Sequence, residues 1–124
     1  MRALAQDHFD WIKNRVLQAA DEADADAYCA LGDMLEAIME RLVTDRLMVE
    51  VMSRTKGLDT DAVFGALDQI LAVGRQQRTL RDDAAVQDIA VLITGSAQAL
   101  LNMGIDDPTA WRRCARLTLA ALRP

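Results

Sequence analysis

The most informative segment of the sequence is Thr79-Leu80-Arg81-Asp82-Asp83, followed by Asp88-Ile89-Ala90-Val91-Leu92-Ile93-Thr94-Gly95. It predicts a connector that runs straight into a long apolar helix. Asp82 and Asp83 lie where this helix should begin, and Asp88 lies in its second turn. A carboxylate near a helix N-terminus is stabilised by the macrodipole, by about 0.3–1 kcal/mol. We therefore interpret the three aspartates as structural residues rather than as an acid/base pair.

The predicted helix, residues 83–103, is apolar nearly all the way round its centre. A helix of that kind must be covered on most sides. In a chain of 124 residues, which length alone assigns to one domain spanning 1–124, we expect the chain's own core on one side of this helix. We expect a second copy of the chain on the other side.

Apolar residues at helical spacing extend over the whole sequence, and no segment alternates as a strand would. The breaks are the acidic run 21–26, Lys56-Gly57, Gly104 and Asp107-Pro108, all of which are typical helix ends or caps. The pattern predicts an all-α, six-helix antiparallel bundle with helices at about 2–22, 25–43, 45–54, 60–77, 83–103 and 108–123. Gly65, inside the fourth predicted helix, is interpreted as a point of close helix packing.

Composition limits the partners and the compartment. A net charge of −5 makes the chain a poor partner for a phosphate backbone, because such binding depends on Lys and Arg. Cys29 and Cys114 have no CxxC spacing, which indicates reduced residues in the cytosol. No apolar run has membrane-spanning length, and the N-terminus has no signal-peptide pattern. We expect a cytoplasmic protein with no membrane partner.

Catalytic and metal-binding patterns are missing from the sequence. His8 is the only histidine and has no ligands at metal-site spacing. The acidic run 21–26 lacks the glycine and the final glutamate of a calcium loop. We therefore predict that the chain is not an enzyme and has no catalytic residues, no metal and no cofactor. The last predicted helix carries basic residues that we expect to pair with carboxylates: Arg112, Arg113 and Arg116.

The helix order, the connector and the closing motifs resemble one known family. The closing motifs are Trp111-Arg112-Arg113-Cys114-Ala115-Arg116-Leu117 and Ala121-Leu122-Arg123-Pro124. Over nearly the whole chain they are similar to the C-terminal effector-binding and dimerisation domain of TetR-family transcriptional repressors. Two features depart from the family. Arg78 stands where the family usually has glycine, and a positive φ there would strain an arginine. The N-terminal helix-turn-helix domain is absent from this chain.

The resemblance implies a two-state sensor. A small, mostly apolar effector would lie among the first, second, fourth and fifth helices and shift the first helix, which would control DNA binding by the absent head. The last two helices would pair with those of a second copy, giving a homodimer that reaches DNA only through the missing domain.

Two sets of site residues follow from helix face and side-chain type. The proposed ligand-binding residues are Trp11, Tyr28, Met34, Ile38, Phe64, Leu67, Gln98 and Asn102. The proposed dimer-interface residues are Ile89, Leu92, Ile93, Ser96, Leu100, Trp111, Ala115, Thr118 and Leu122. From periodicity alone, aromatic residues and methionines are expected in the core before they are expected in a pocket. Two alternatives stay open: a helical protein–protein interaction module without a pocket, and a small all-helical enzyme.

Overall fold

A computed structural model of the chain describes residues 2–46, 49–50 and 60–124, with side chains from residue 7 onward. These residues are all-helical, without strands. The helices are α1 (Arg2–Thr44), α2 (Asp61–Gln77), α3 (Val86–Asn102) and α4 (Pro108–Ala121). Residues 46, 49 and 50 are also helical. In the described ranges, none of the helices has the length and apolar character that crossing a membrane requires.

Helix α1 is folded back on itself at Asp26, whose φ of −164° and ψ of 101° are those of extended chain. In one straight helix His8 and Asp45 would lie about 55 Å apart. Instead, His8 Nδ1 lies 3.1 Å from an Asp45 carboxylate oxygen. The first arm of α1 (residues 2–25) and the second arm (residues 27–44) therefore run antiparallel. They correspond to the first two helices predicted from the sequence.

Asp26 begins the second arm as its N-cap. Its carboxylate accepts a hydrogen bond from the Cys29 backbone N–H at 3.1 Å, which is the usual cap geometry. This hydrogen bond lowers the pKa of the Asp26 carboxyl below its ordinary value. The acidic run therefore does what its sequence predicted, because one of its aspartates caps the helix that follows.

The bend is also held from α2, through the side chain of Gln77. A break in a helix leaves backbone groups without intrahelical partners. The Gln77 amide oxygen accepts from the Ala27 N–H at 2.9 Å, and its NH₂ donates to the carbonyls of Ala23 and Asp24 at 3.0 and 3.1 Å. One side chain thus supplies three backbone groups of the bend and ties α2 to α1.

Helices α2 and α3 end in the same left-handed motif. At the end of α3 the left-handed residue is Gly104, with φ 70°. At the end of α2 it is Arg78, with φ 61°, and the next N–H, of Thr79, donates to Gly74 O at 3.0 Å. The positive φ on which the strain argument for Arg78 depended is therefore present. A left-handed conformation costs a non-glycine residue about 1–2 kcal/mol.

The core lies between the two arms of α1 and the inner faces of the other helices. Its largest fully buried side chain is that of Trp111, whose indole N–H donates to Ile105 O at 2.9 Å. Gly74 is a close-packing glycine, because a Cβ there would overlap the Leu80 side chain. The same role predicted for Gly65 is not supported, because no described atom beyond the helix's own backbone lies within 4 Å of a Cβ built at that position.

Helix α4 packs antiparallel to the second arm of α1. Arg116 lies 3.1 Å from Glu36, and Arg112 lies 3.4 Å from Glu40. The expected pairing of the basic residues with carboxylates is thus confirmed for these two arginines, while Arg113 is exposed. As predicted, Pro108 is the first residue of α4, and the N-cap carboxylate before it accepts from a backbone N–H.

The predicted count of six helices is not supported: four helices have described bounds, and outside them only residues 46, 49 and 50 are described as helical. Most of the third predicted helix, together with Lys56-Gly57, lies outside the described residues.

Helix α3 begins at Val86, three residues later than predicted. Asp83 belongs to the connector, because Arg81 binds its carboxylate at 2.7 Å. Asp88 accepts the N–H of Ala85 at 2.9 Å and so stabilises the true start.

Candidate functional site

A cavity of about 220 Å³ lies between the two arms of α1, α2 and α3. Each of these elements contributes the apolar stripe that its sequence periodicity predicts. The walls are formed by residues from all of them: Phe9, Ile12, Val16, Met34, Leu35, Ile38, Thr60, Val63, Phe64, Leu67, Ile89, Ala90, Ile93 and Thr94. The cavity therefore forms where four helical segments meet, and its shape depends on how the arms of α1 are placed.

The chemistry of the cavity is almost wholly apolar. Among the described residues that line it, none is charged, and the polar side chains are those of Thr60 and Thr94. Phe64 is 43% exposed although it lines the cavity, so the cavity reaches the molecular surface beside this ring. The arrangement suits a small apolar molecule with at most one or two hydrogen-bonding groups, and the wall residues that the structure describes include no acid, base or nucleophile pair.

Of the ligand-binding residues predicted from the sequence, the structure brings Met34, Ile38, Phe64 and Leu67 together in the cavity wall. They come from the second arm of α1 and from α2. Met34, Ile38 and Leu67 are buried and thus form the interior part of the wall. The cavity also lies among the four segments predicted to surround it.

The other predicted ligand-binding residues lie outside the wall of this cavity. Trp11 packs beneath the Arg41 guanidinium, 4.6 Å from the ring centroid. Tyr28 is engaged by Arg123, whose Nε donates to the Tyr28 hydroxyl at 2.7 Å. These aromatic rings pack against cations at the surface of the bundle.

Gln98 and Asn102 were predicted as polar contacts of the ligand. They lie on the exposed side of α3, where the Gln98 amide donates to the Asn102 amide oxygen at 3.3 Å. An i, i+4 pair of this kind stabilises the helix surface. Neither residue lines the cavity.

Several wall residues are absent from the ligand-binding set that the sequence predicts. Phe9, Ile12 and Val16 form the first-arm wall, and Ile89 and Ile93 form the α3 wall. The signal for them was their i, i+3, i+4 spacing. That spacing identifies a buried stripe but does not tell a filled core from a cavity wall.

The predicted dimer interface is largely buried within one chain. Seven of its residues belong to the chain's own interior: Ile89, Ile93, Leu100, Trp111, Ala115, Thr118 and Leu122. A side chain that its own fold covers is not available to a partner, and the structure places these residues in the chain's own core. Leu92 is 38% exposed, and Ser96 is half-buried with its hydroxyl donating to Leu92 O.

Apolar side chains do remain exposed on the two helices predicted to dimerise. Val91 of α3 is 60% exposed, Leu117 of α4 is 55% exposed, and Met103 just after α3 is 71% exposed. Val91 and Leu92 line a surface groove with Ala121, near the end of α4. The uncovered side of α3 therefore faces away from the apolar cavity.

Among the described residues, no three His, Cys, Asp or Glu side chains are grouped so as to hold a metal ion. His8 is half-buried and lies against Asp45, at the open end of the α1 hairpin. The free thiol of Cys29 is exposed, and the neighbouring Asp26 carboxylate raises its pKa, which disfavours the reactive thiolate.

Comparison with known proteins leaves the chain without an assigned relative. No family model matches it, and no curated protein or solved structure matches it significantly. The resemblance to TetR-family regulatory domains therefore rests on the sequence motifs alone.

Proposed function

We propose that this chain is a sensor domain that binds a small, uncharged, mainly apolar molecule. The observation that carries the proposal is the 220 Å³ cavity, walled by apolar side chains from both arms of α1, α2 and α3. Apolar walls with a few polar groups are typical of small-molecule sites. In this proposal the chain acts without catalysis, as TetR-like effector-binding domains do, and any DNA binding would belong to a separate head domain.

The wall chemistry sets the charge of the ligand. Burying an ion without a paired charge is strongly unfavourable, and none of the described residues that line the cavity is charged. The hydroxyls of Thr60 and Thr94 are available to bond one hydroxyl or carbonyl group. We therefore expect an alcohol, a ketone or a simple aromatic compound rather than an acid or an amine.

The signal would pass through α1. A ligand in the cavity touches Phe9 and Ile12 of the first arm as well as Met34 and Ile38 of the second. A ligand shifts an equilibrium only by its difference in affinity for two states. Because both arms contribute to the wall, a change in the angle between them alters the cavity directly, and the first arm is the element that the resemblance connects to a DNA-binding head.

A homologous series of 1-alkanols, from butanol to decanol, tests the cavity. Each methylene that enters it should contribute about 0.8 kcal/mol, which is about fourfold in affinity. Binding, followed by titration calorimetry or thermal shift, should strengthen by that factor until the cavity is full and then level off or weaken. A series with no dependence on chain length, or no binding at all, would contradict the proposal.

Matched variants locate the binding. Ala90 lines the cavity and Ala72 is exposed on α2, so Ala90→Phe should fill the cavity while Ala72→Phe leaves it open. We expect Ala90→Phe to shorten the best-binding alkanol or to abolish binding, and Ala72→Phe to bind as the unchanged chain does. Equal effects of the two variants would show that the alkanols bind elsewhere.

The second part of the proposal is a homodimer formed through the exposed side of α3 and α4. Exposed Val91, Leu92 and Leu117 favour it, and they also favour the alternative of a helical module for another protein. Leu92→Glu should produce a monomer in light scattering coupled to size exclusion. Leu17→Glu is the matched control, because Leu17 is 39% exposed but lies on α1. A monomeric unchanged chain would refute the homodimer and favour the interaction module.

A further inference from the structure

A second cleft, of about 780 Å³, lies where the α2–α3 connector meets the residues that follow α4. Its charged walls are four arginines and two aspartates: Arg75, Arg78, Arg81, Arg123, Asp82 and Asp83. Four positive charges against two negative charges leave an excess of two positive charges, in a chain whose net charge is −5. The cleft shares no residue with the apolar cavity.

Three of the four guanidinium groups are held in place by the fold. Arg75 donates to Ala84 O at 3.4 Å, and Arg123 donates to the Tyr28 hydroxyl at 2.7 Å. Neither partner is charged. Arg81 binds the Asp83 carboxylate through Nε and Nη2, at 2.7 and 3.1 Å. A guanidinium carries five N–H donors, so each of these arginines keeps donors for another partner.

The fourth arginine, Arg78, occupies a strained backbone position. Its φ is 61°, at a place where the matching motif of α3 has Gly104. Its side chain is exposed and, within the described ranges, forms no hydrogen bond or ion pair with another residue. Its guanidinium therefore does not offset the strain within the chain. Residues held in sparsely populated conformations are concentrated at functional sites.

We propose that this cleft binds the phosphoryl group of a small phosphorylated molecule, with Arg78 as a direct contact. Planar guanidinium groups bind phosphate oxygens in pairs, and held guanidinium groups lose less freedom on binding. The cleft is open and polar, which suits a dianion that keeps part of its hydration. This site is independent of the apolar cavity, so either can fail without the other.

The test is titration calorimetry of the unchanged chain with inorganic phosphate and with pyrophosphate, against chloride at matched ionic strength. We expect saturable binding of one anion per chain, and tighter binding of pyrophosphate if the natural ligand extends beyond one phosphoryl group. Equal affinities would assign the site to free phosphate. No binding beyond that of chloride would overturn the proposal.

Matched variants separate a site from general charge attraction. Arg78→Gly and Arg113→Gln each remove one positive charge, but Arg113 lies on α4 outside the cleft. Arg78→Gly should weaken anion binding about tenfold, because a charge-assisted contact is lost, and Arg78→Lys should restore part of it. Arg113→Gln should bind as the unchanged chain does. Equal weakening by Arg78→Gly and Arg113→Gln, or no weakening by Arg78→Gly, would refute the site.

Discussion

Replacing Arg78 with glycine should make the folded chain more stable. At φ 61° the backbone is in a region that costs a non-glycine residue about 1–2 kcal/mol. Glycine removes this strain but adds freedom to the unfolded chain, worth about 0.5–1 kcal/mol. The net gain should be about 0.5–1 kcal/mol, which for a chain of this length raises the Tm by about 2–5 °C.

The assay is thermal and urea unfolding followed by far-UV circular dichroism. The buffer contains no phosphate, so that no phosphate can bind in the cleft beside Arg78. Arg78→Ala keeps the Cβ and its strain but removes the guanidinium, so its stability should change by less than about 0.5 kcal/mol. Arg113→Gly, inside α4, should lose about 1 kcal/mol, the ordinary effect of glycine in a helix.

The essential result is that Arg78→Gly should raise the free energy of unfolding while Arg113→Gly lowers it. If Arg78→Gly were no more stable than the unchanged chain, the strain argument would be wrong. If Arg78→Ala were much less stable than the unchanged chain, the Arg78 side chain would be stabilising the fold. The case for an anion contact at Arg78 would then lose its basis.

Other substitutions test the packing and the bend. Gly65→Ala should stabilise the chain by about 0.5–1 kcal/mol, because the new Cβ meets no neighbour among the described residues. Gly74→Ala should destabilise it by about 1–3 kcal/mol, because the new Cβ overlaps the Leu80 side chain. Urea unfolding distinguishes the two variants. Gln77→Ala should lower the free energy of unfolding by about 1–3 kcal/mol and increase hydrogen exchange at the bend, because three backbone groups lose their partner. The pKa of the Asp26 carboxyl is lower in the folded chain than its ordinary value of 3.8, so the ionised carboxylate stabilises the fold at pH values above 3.8. This contribution is lost as the pH falls through the folded-state pKa. In Asp26→Asn the free energy of unfolding should therefore depend less on pH in the acid range. In Asp26→Asn the Cys29 thiol should be alkylated faster near pH 8, as measured by mass spectrometry, because the carboxylate that raises its pKa is gone. An unchanged rate would contradict Asp26 as the cause of the raised pKa.

The helix pattern was predictable because its determinants are local. The N-cap at Asp26, the start at Pro108 and the left-handed end at Gly104 each depend on residues within a few positions. The same local signals predict too early a start for α3. Asp83 has the sequence signature of a helix start, but a side-chain contact with Arg81 assigns it to the connector.

The long-range features were not predictable from local sequence. The bend in α1 depends on Gln77, which lies 50 positions away from Ala27, and nothing near residue 26 indicates that partner. Trp11 and Tyr28 were predicted in the ligand site because large aromatic rings often line pockets. Both rings pack partly buried against the core and also contact Arg41 and Arg123, and helix periodicity contains no information about those arginine contacts.

The two surfaces of α3 join the parts of the proposed function. Ile89 and Ile93 face the cavity, while Val91 and Leu92 face outward. The all-round apolar sequence predicted that both sides would be covered, but it could not say which side the chain covers itself. In the proposed dimer a ligand and a partner subunit would press on opposite sides of a helix only 17 residues long. If a bound alkanol changes the affinity of the two subunits for each other by some factor, thermodynamic linkage sets the reverse effect. Dimerisation must then change the affinity of the chain for the alkanol by the same factor. Because a helix moves as a rigid element within a packed core, a nonzero coupling is the physical expectation for a sensor, whereas a passive carrier would give two independent equilibria.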